Sequence, residues 1–125
     1  MSAHTQAAGA NEGRRVLIVE DEALIAFVLE DIVRDLGYEV AAVASTLETA
    51  MATEPDSFDL AILDVQLNGM EVYPFAETLM SRGIPYIFAS GNGRLAIPDA
   101  HRATVLLPKP FRQEALLHAL GRMAQ

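Results

Sequence analysis

Short apolar runs in this 125-residue chain end on side chains able to do chemistry. Glu20 and Asp21 follow Val16–Val19, Asp64 follows Phe58–Leu63, Ser90 follows Pro85–Ala89, and Lys109 comes shortly after Thr104–Leu107. Three carboxylates brought into one cleft repel each other unless a cation joins them. Hard oxygen ligands with room for waters suit Mg²⁺. A carboxylate can also act as a nucleophile and form a covalent acyl phosphate. Phosphoryl transfer then requires neutralisation of the equatorial oxygens, which a metal, a Lys ammonium and a Ser hydroxyl supply. Asp64, Lys109 and Ser90 are the candidates for the covalent chemistry, and Asp21, Glu20 and Asp64 for the metal.

This set matters only if the fold gathers it. Val16–Val19 is short, β-branched and continuously apolar, as a strand buried on both faces is. Leu24, Val28, Ile32 and Leu36 then recur every four residues, flanked by Ile25, Leu29 and Val33. They predict a helix closed by Gly37 at the C′ position. The alternation repeats with strands over Tyr38–Val43, Phe58–Leu63, Pro85–Ala89 and Thr104–Leu107. Between them lie helices over Thr46–Thr53 and Val72–Arg82, the second closed by Gly83. Pro55-Asp56 mark a loop, residues 92–102 are poorly patterned and predict a short or irregular fourth helix, and Arg112–Met123 predicts a final amphipathic helix. Strands alternating with helices imply an α/β fold with a parallel sheet covered on both faces. The carboxyl-terminal strand ends of such a sheet share one edge, where ligands bind near the topological switch point.

Composition narrows the function classes. The formal net charge of −8 opposes non-specific nucleic-acid binding, which needs a basic surface, and docking to an anionic membrane. The chain has no cysteine, which excludes disulfides, thiolate catalysis and zinc–thiolate sites and is compatible with a cytoplasmic location. Residues 1–13 are small and polar, read as a disordered tail rather than a secretory signal, and leave residues 14–125 as one domain. No effector domain is expected after the last helix. His4, His101 and His118 are read as solvated or packing residues, and the methionines as gap fillers.

The motifs Val-Glu-Asp-Glu at 19–22, Leu-Asp-Val-Gln-Leu-Asn-Gly at 63–69, Ala-Ser-Gly at 89–91 and Pro-Lys-Pro-Phe at 108–111 together resemble the receiver domain of two-component response regulators. The resemblance runs from Val16 to Met123. It implies a flavodoxin-like (βα)5 fold with strand order 2-1-3-4-5. It implies that Asp64 is the phosphoacceptor, that Asp21 binds Mg²⁺ directly, that Glu20 does so often through water, and that the backbone carbonyl of Gln66 completes the protein's ligands. Ser90 matches the hydroxyl that follows the phosphoryl group, and Lys109 the lysine that pairs with the acceptor carboxylate and the phosphoryl oxygens. Lys109–Pro110 would be a cis peptide, which X-Pro bonds tolerate.

Most receivers carry an aromatic residue three positions before that lysine, where this chain has Leu106. The run Phe88-Ala89-Ser90-Gly91, with Val72-Tyr73-Pro74 and Leu107–Arg112, resembles a subclass known by a Phe-Ala-Thr-Gly run and associated with alphaproteobacterial sensor kinases. Here Ser90 replaces the Thr of that run. The resemblance implies a non-enzymatic signalling protein that takes a phosphoryl group from a sensor histidine kinase or a histidine phosphotransfer protein. It would then switch a downstream protein partner or act as a phosphate sink. One rival is a receiver-like binding module that works without phosphorylation. The other is a phosphatase using an aspartyl-phosphate intermediate, which needs a second carboxylate two residues after the nucleophile, where this chain has Gln66.

Overall fold

The computed structural model describes residues 14–90, 106–108, 115–116 and 118–120, with the main chain alone at residues 90 and 106–108. The expected tail (residues 1–13), the expected fourth helix (92–102), Lys109 and the Lys109–Pro110 bond lie outside the described residues.

Five strands form one sheet: β1 (Arg15–Val19), β2 (Glu39–Ala44), β3 (Leu60–Asp64), β4 (Tyr86–Ser90) and β5 (Leu106–Pro108). Their spatial order is β2-β1-β3-β4-β5, every pairing is parallel, and this is the expected 2-1-3-4-5 arrangement. The order reverses between β1 and β3, which makes their carboxyl ends the switch point of the sheet.

The central strands are apolar throughout because both faces are covered. Side chains alternate between two cores with the period of two that a pleated strand imposes. Leu17, Val19, Leu63 and Phe88 pack on one side with Phe75 and Leu79. Val16, Ile18, Ile62 and Ile87 pack on the other with Leu29, Val33, Leu116 and Leu120. Residues 115–116 and 118–120 are helical, within the span predicted for the final helix.

The helices are α1 (Ala23–Asp35), α2 (Leu47–Ala52) and α3 (Tyr73–Ser81). Two stop at predicted glycines. Gly37 has φ 93° and Gly83 φ 73°. The Gly37 N–H donates to Arg34 O at 3.0 Å and Tyr38 N–H to Val33 O at 3.1 Å; Gly83 and Ile84 repeat the pattern onto Met80 and Leu79. These paired bonds satisfy carbonyls that a helix end otherwise leaves open. Thr46 caps α2 by accepting the Thr49 N–H at 3.0 Å, and Pro55–Ser57 form a 3-10 turn where a loop was expected.

Two features were not predicted. The every-fourth row on α1 runs from solvent to core: Leu24 is 76% exposed and Val28 41%, with Phe27 beside them 67% exposed, whereas Ile32 and Leu36 pack against the core and Ala26, Leu29 and Val33 are buried. Four residues advance about 400° around a helix of 3.6 residues per turn. A strict four-residue row therefore drifts around the helix, here from the exposed Leu24 to the packed Ile32 and Leu36, whereas the spacing of three and then four in Ala26, Leu29 and Val33 stays on the core. The second is a small antiparallel hairpin of Gln66–Leu67 and Met70–Glu71 between β3 and α3.

Candidate functional site

Three acids meet at the carboxyl edge. β1 and β3 are neighbours with Val19 opposite Leu63, so Glu20 and Asp64 are the next residues of adjacent strands. Glu20 continues the ladder through its N–H, which donates to Ala44 O at 3.0 Å. Its side chain is 1% exposed and that of Asp64 9%. One carboxylate oxygen each from Glu20, Asp21 and Asp64 lies within 4.8 Å of the other two.

Main-chain donors hold two of these acids. Glu20 Oε2 accepts the Glu22 N–H at 3.1 Å, at the N-cap residue that precedes α1. Asp21 Oδ2 accepts the Asn68 N–H at 2.9 Å. Burial pushes the Asp21 carboxyl up, but hydrogen bonding, first of all from the Asn68 N–H, outweighs it and holds the group below its ordinary value. Asp21 is thereby kept ionised beside two further carboxylates, an arrangement that favours a cation.

The donor set fits Mg²⁺. All three groups offer hard oxygens, and Mg²⁺–oxygen bonds of about 2.0–2.1 Å bring ligand oxygens at most about 4.2 Å apart. Carboxylate oxygens gathered within 4.8 Å of one another are close to that span.

The other expected site residues vary in what is described. Gln66 stands exposed two residues after Asp64, at the start of the hairpin and opposite Glu71. Ser90 ends β4 opposite Pro108, one residue past Ala89, which is opposite Asp64. The Val65 N–H donates to Ala89 O at 3.3 Å, which ties the backbone after Asp64 to the strand that delivers Ser90. Lys109 is outside the described residues. Leu106 lies opposite Phe88 on the sheet. Phe88 is flanked edge-on by the rings of Tyr73 and Tyr86, at centroid distances of 5.7 and 5.5 Å. Pro74 lies in the first turn of α3, as the sequence predicts, and His118 is exposed.

The residue missed from the sequence is Asn68. It has φ 51° and Gly69 φ 82°, the twin left-handed conformation of a two-residue turn whose twist suits a hairpin. The Asn-Gly pair is a strong signal for such a turn. It stood inside a motif that drew attention to Asp64 and Gln66 instead.

The protein family described as the response regulator receiver domain matches residues 16–121. Nodulation protein W of Bradyrhizobium diazoefficiens is 35% identical over 112 residues, covering 84% of this chain and 48% of that protein. The chain thus spans about half the length of this curated relative. Two solved structures are similar throughout. The receiver domain of PhyR from Erythrobacter litoralis has a TM-score of 0.79 at 32% identity, covering 90% of both chains. The BeF3-activated conformation of SdrG from Pseudomonas melonis has a TM-score of 0.78 at 38% identity, covering 89% of this chain and 96% of that one.

Proposed function

This chain belongs to the response-regulator receiver family of two-component systems, and from that premise we propose that Asp64 accepts a phosphoryl group from a phosphohistidine in a Mg²⁺-dependent phosphorelay. The observation that carries this reading is the gathering of Glu20, Asp21 and Asp64 within 4.8 Å at the switch point of the sheet.

A carboxylate oxygen of Asp64 attacks the phosphorus, the phosphorus–nitrogen bond breaks, and its electron pair returns to the donor imidazole. The product is an acyl phosphate on Asp64. Asp21, Asp64, the Gln66 carbonyl and Glu20 would hold the ion, which would neutralise charge on the transferred group. Lys109 and Ser90 meet the phosphoryl oxygens as partners of opposite or neutral character. Water later cleaves the acyl phosphate and resets the switch. The protein is a signalling acceptor rather than a turnover enzyme.

The donor is a sensor histidine kinase or a histidine phosphotransfer protein, and the phosphorylated form shifts the population of a surface read by a downstream protein partner. Nucleic acid and membrane are not direct partners. Among the described residues, no helix is long and apolar enough to cross a membrane. On this reading the protein works in the cytoplasm, beside the kinase domain that feeds it.

Beryllofluoride with Mg²⁺ tests the proposal. Amide resonances around Ser90 and after strand β5 are expected to shift in the wild type and not in Asp64→Asn. Identical spectra before and after addition to the wild type would overturn it and favour the phosphorylation-independent binding module.

A further inference from the structure

The hairpin between β3 and α3 reaches back to the acidic pocket, across 47 residues of sequence, through the Asn68 N–H on Asp21 Oδ2 at 2.9 Å. We infer that the Asn68-Gly69 turn is a positioning device for the cation site, its left-handed backbone presenting a main-chain N–H that fixes the Asp21 carboxylate in its ion-binding orientation. This inference rests on the proposed reading of that site.

Repulsion from Glu20 and Asp64 would drive a free Asp21 carboxylate outward into solvent. The Asn68 N–H on Oδ2 opposes that swing by fixing one of the two carboxylate oxygens. A main-chain N–H does so without a formal charge, whereas a lysine or arginine in the same place would compete with the cation for the acids. The donor must also be rigid to be useful, because a loose one would follow the carboxylate instead of directing it.

The turn is held independently of Asp21. Leu67 is 1% exposed and packs in the core with Val65 and Val72, and the Val72 N–H donates to Val65 O at 2.9 Å to close the base of the hairpin. Asn68 is the one non-glycine with positive φ among the described residues. Asn tolerates that region better than most residues because its short polar side chain bonds locally. Gly69 follows with φ 82°, and a Cβ added there meets nothing within 4 Å. Substitution at Gly69 therefore perturbs the backbone preference without a clash, which makes it a clean probe of the turn.

The test is a Mg²⁺ titration followed by amide chemical shifts on the whole chain, with wild type, Asn68→Gly, Gly69→Ala and Asn68→Pro. Asn68→Gly keeps both the N–H and the accessible φ, and its Mg²⁺ affinity is expected within about two-fold of wild type. Asn68→Pro removes the N–H and also forbids the positive φ of residue 68, and an affinity loss of about ten-fold or more is expected. Gly69→Ala keeps every N–H but disfavours the turn, and a loss of about three- to ten-fold is expected. A second readout needs no ion: the residue-68 amide proton should be protected from solvent exchange in wild type and Asn68→Gly, and lose that protection in Asp21→Ala. Thermal melting without Mg²⁺ identifies a variant that fails to fold. Should Asn68→Pro do so, Gly69→Ala and the exchange readout decide. If the wild type binds Mg²⁺ and the folded variants bind it equally well, the positioning role is overturned and the site reading stands. If the wild type binds no Mg²⁺, both fall together.

Discussion

At the scale of single residues, the three acids are unequal. Asp21 is the more accessible, Glu20 is almost fully enclosed, and Asp64 ends the central strand. Losing Asp21 removes a direct ligand that the Asn68 N–H holds in place, so Asp21→Asn should weaken Mg²⁺ binding by at least about ten-fold, a difference of ~1.4 kcal/mol. Glu20 is expected to act often through water rather than directly, so Glu20→Gln should cost less. Isothermal titration of both variants checks the ranking, and equal losses would contradict it.

A second residue-scale prediction concerns the opposite edge of the sheet. Arg15 grips Asp59 through its main-chain N–H at 2.7 Å and its guanidinium at 3.1 and 3.2 Å. The side-chain hydrogen bond from Arg15 holds the Asp59 carboxyl below its ordinary value. A carboxylate with a depressed folded pKa contributes stability that is present above its unfolded pKa and lost as pH falls through the folded one. Asp59→Asn should therefore lower the urea midpoint at pH 7, with the gap to wild type narrowing as the pH drops below the ordinary carboxylate range. A gap independent of pH would show that the contact acts through shape alone. Both side chains are partly exposed, at 40% and 35%, so added salt should shrink the effect.

At the scale of elements, α1 separates residues that look alike in sequence. Leu29 is 1% exposed and Phe27 67%. Leu29→Ala leaves a cavity and should cost about 2–5 kcal/mol, while Phe27→Ala should stay within ~0.5 kcal/mol. Chemical denaturation of the two variants measures the contrast. Gly83→Ala belongs at the same scale. The added methyl meets nothing within 4 Å, but φ is 73°, so the cost should be the conformational one, about 1–2 kcal/mol.

These elements also show what the sequence could carry. The strands were legible because two-face burial demands unbroken apolar runs, and Gly37 and Gly83 because a left-handed helix end has few other solutions. The acids were legible because the carboxyl ends of parallel strands share one edge, where ligands bind. The hairpin was not, because strands of two residues have no measurable period. The exposed stripe of Leu24, Phe27 and Val28 was not, because hydrophobicity alone does not say which of two neighbouring helical rows meets the core. The order of the strands came from the family resemblance rather than from periodicity, since alternation of strand and helix is shared by several parallel topologies.

At the scale of the whole molecule, a formal charge of −8 is borne by a fold that also draws three carboxylates together at one point. Self-repulsion of this kind destabilises the compact state. Gathering the acids therefore has a stability cost in the ion-free protein and gives the folded state, rather than the unfolded one, its affinity for a divalent cation. Asp64→Asn removes one charge from the cluster while keeping its volume. Without Mg²⁺ this variant should be more stable than wild type by about 1 kcal/mol, within the range typical of relieved functional strain. Saturating Mg²⁺ should stabilise the wild type through preferential binding to the native state and raise the variant less, so the difference should shrink or change sign. Melting temperatures of both proteins, measured with chelator and with Mg²⁺ at fixed ionic strength, test this directly. A variant less stable than wild type under both conditions would mean that Asp64 contributes more to packing than to repulsion. Equal Mg²⁺-induced shifts in both proteins would mean that the ion binds away from the carboxyl edge of the sheet.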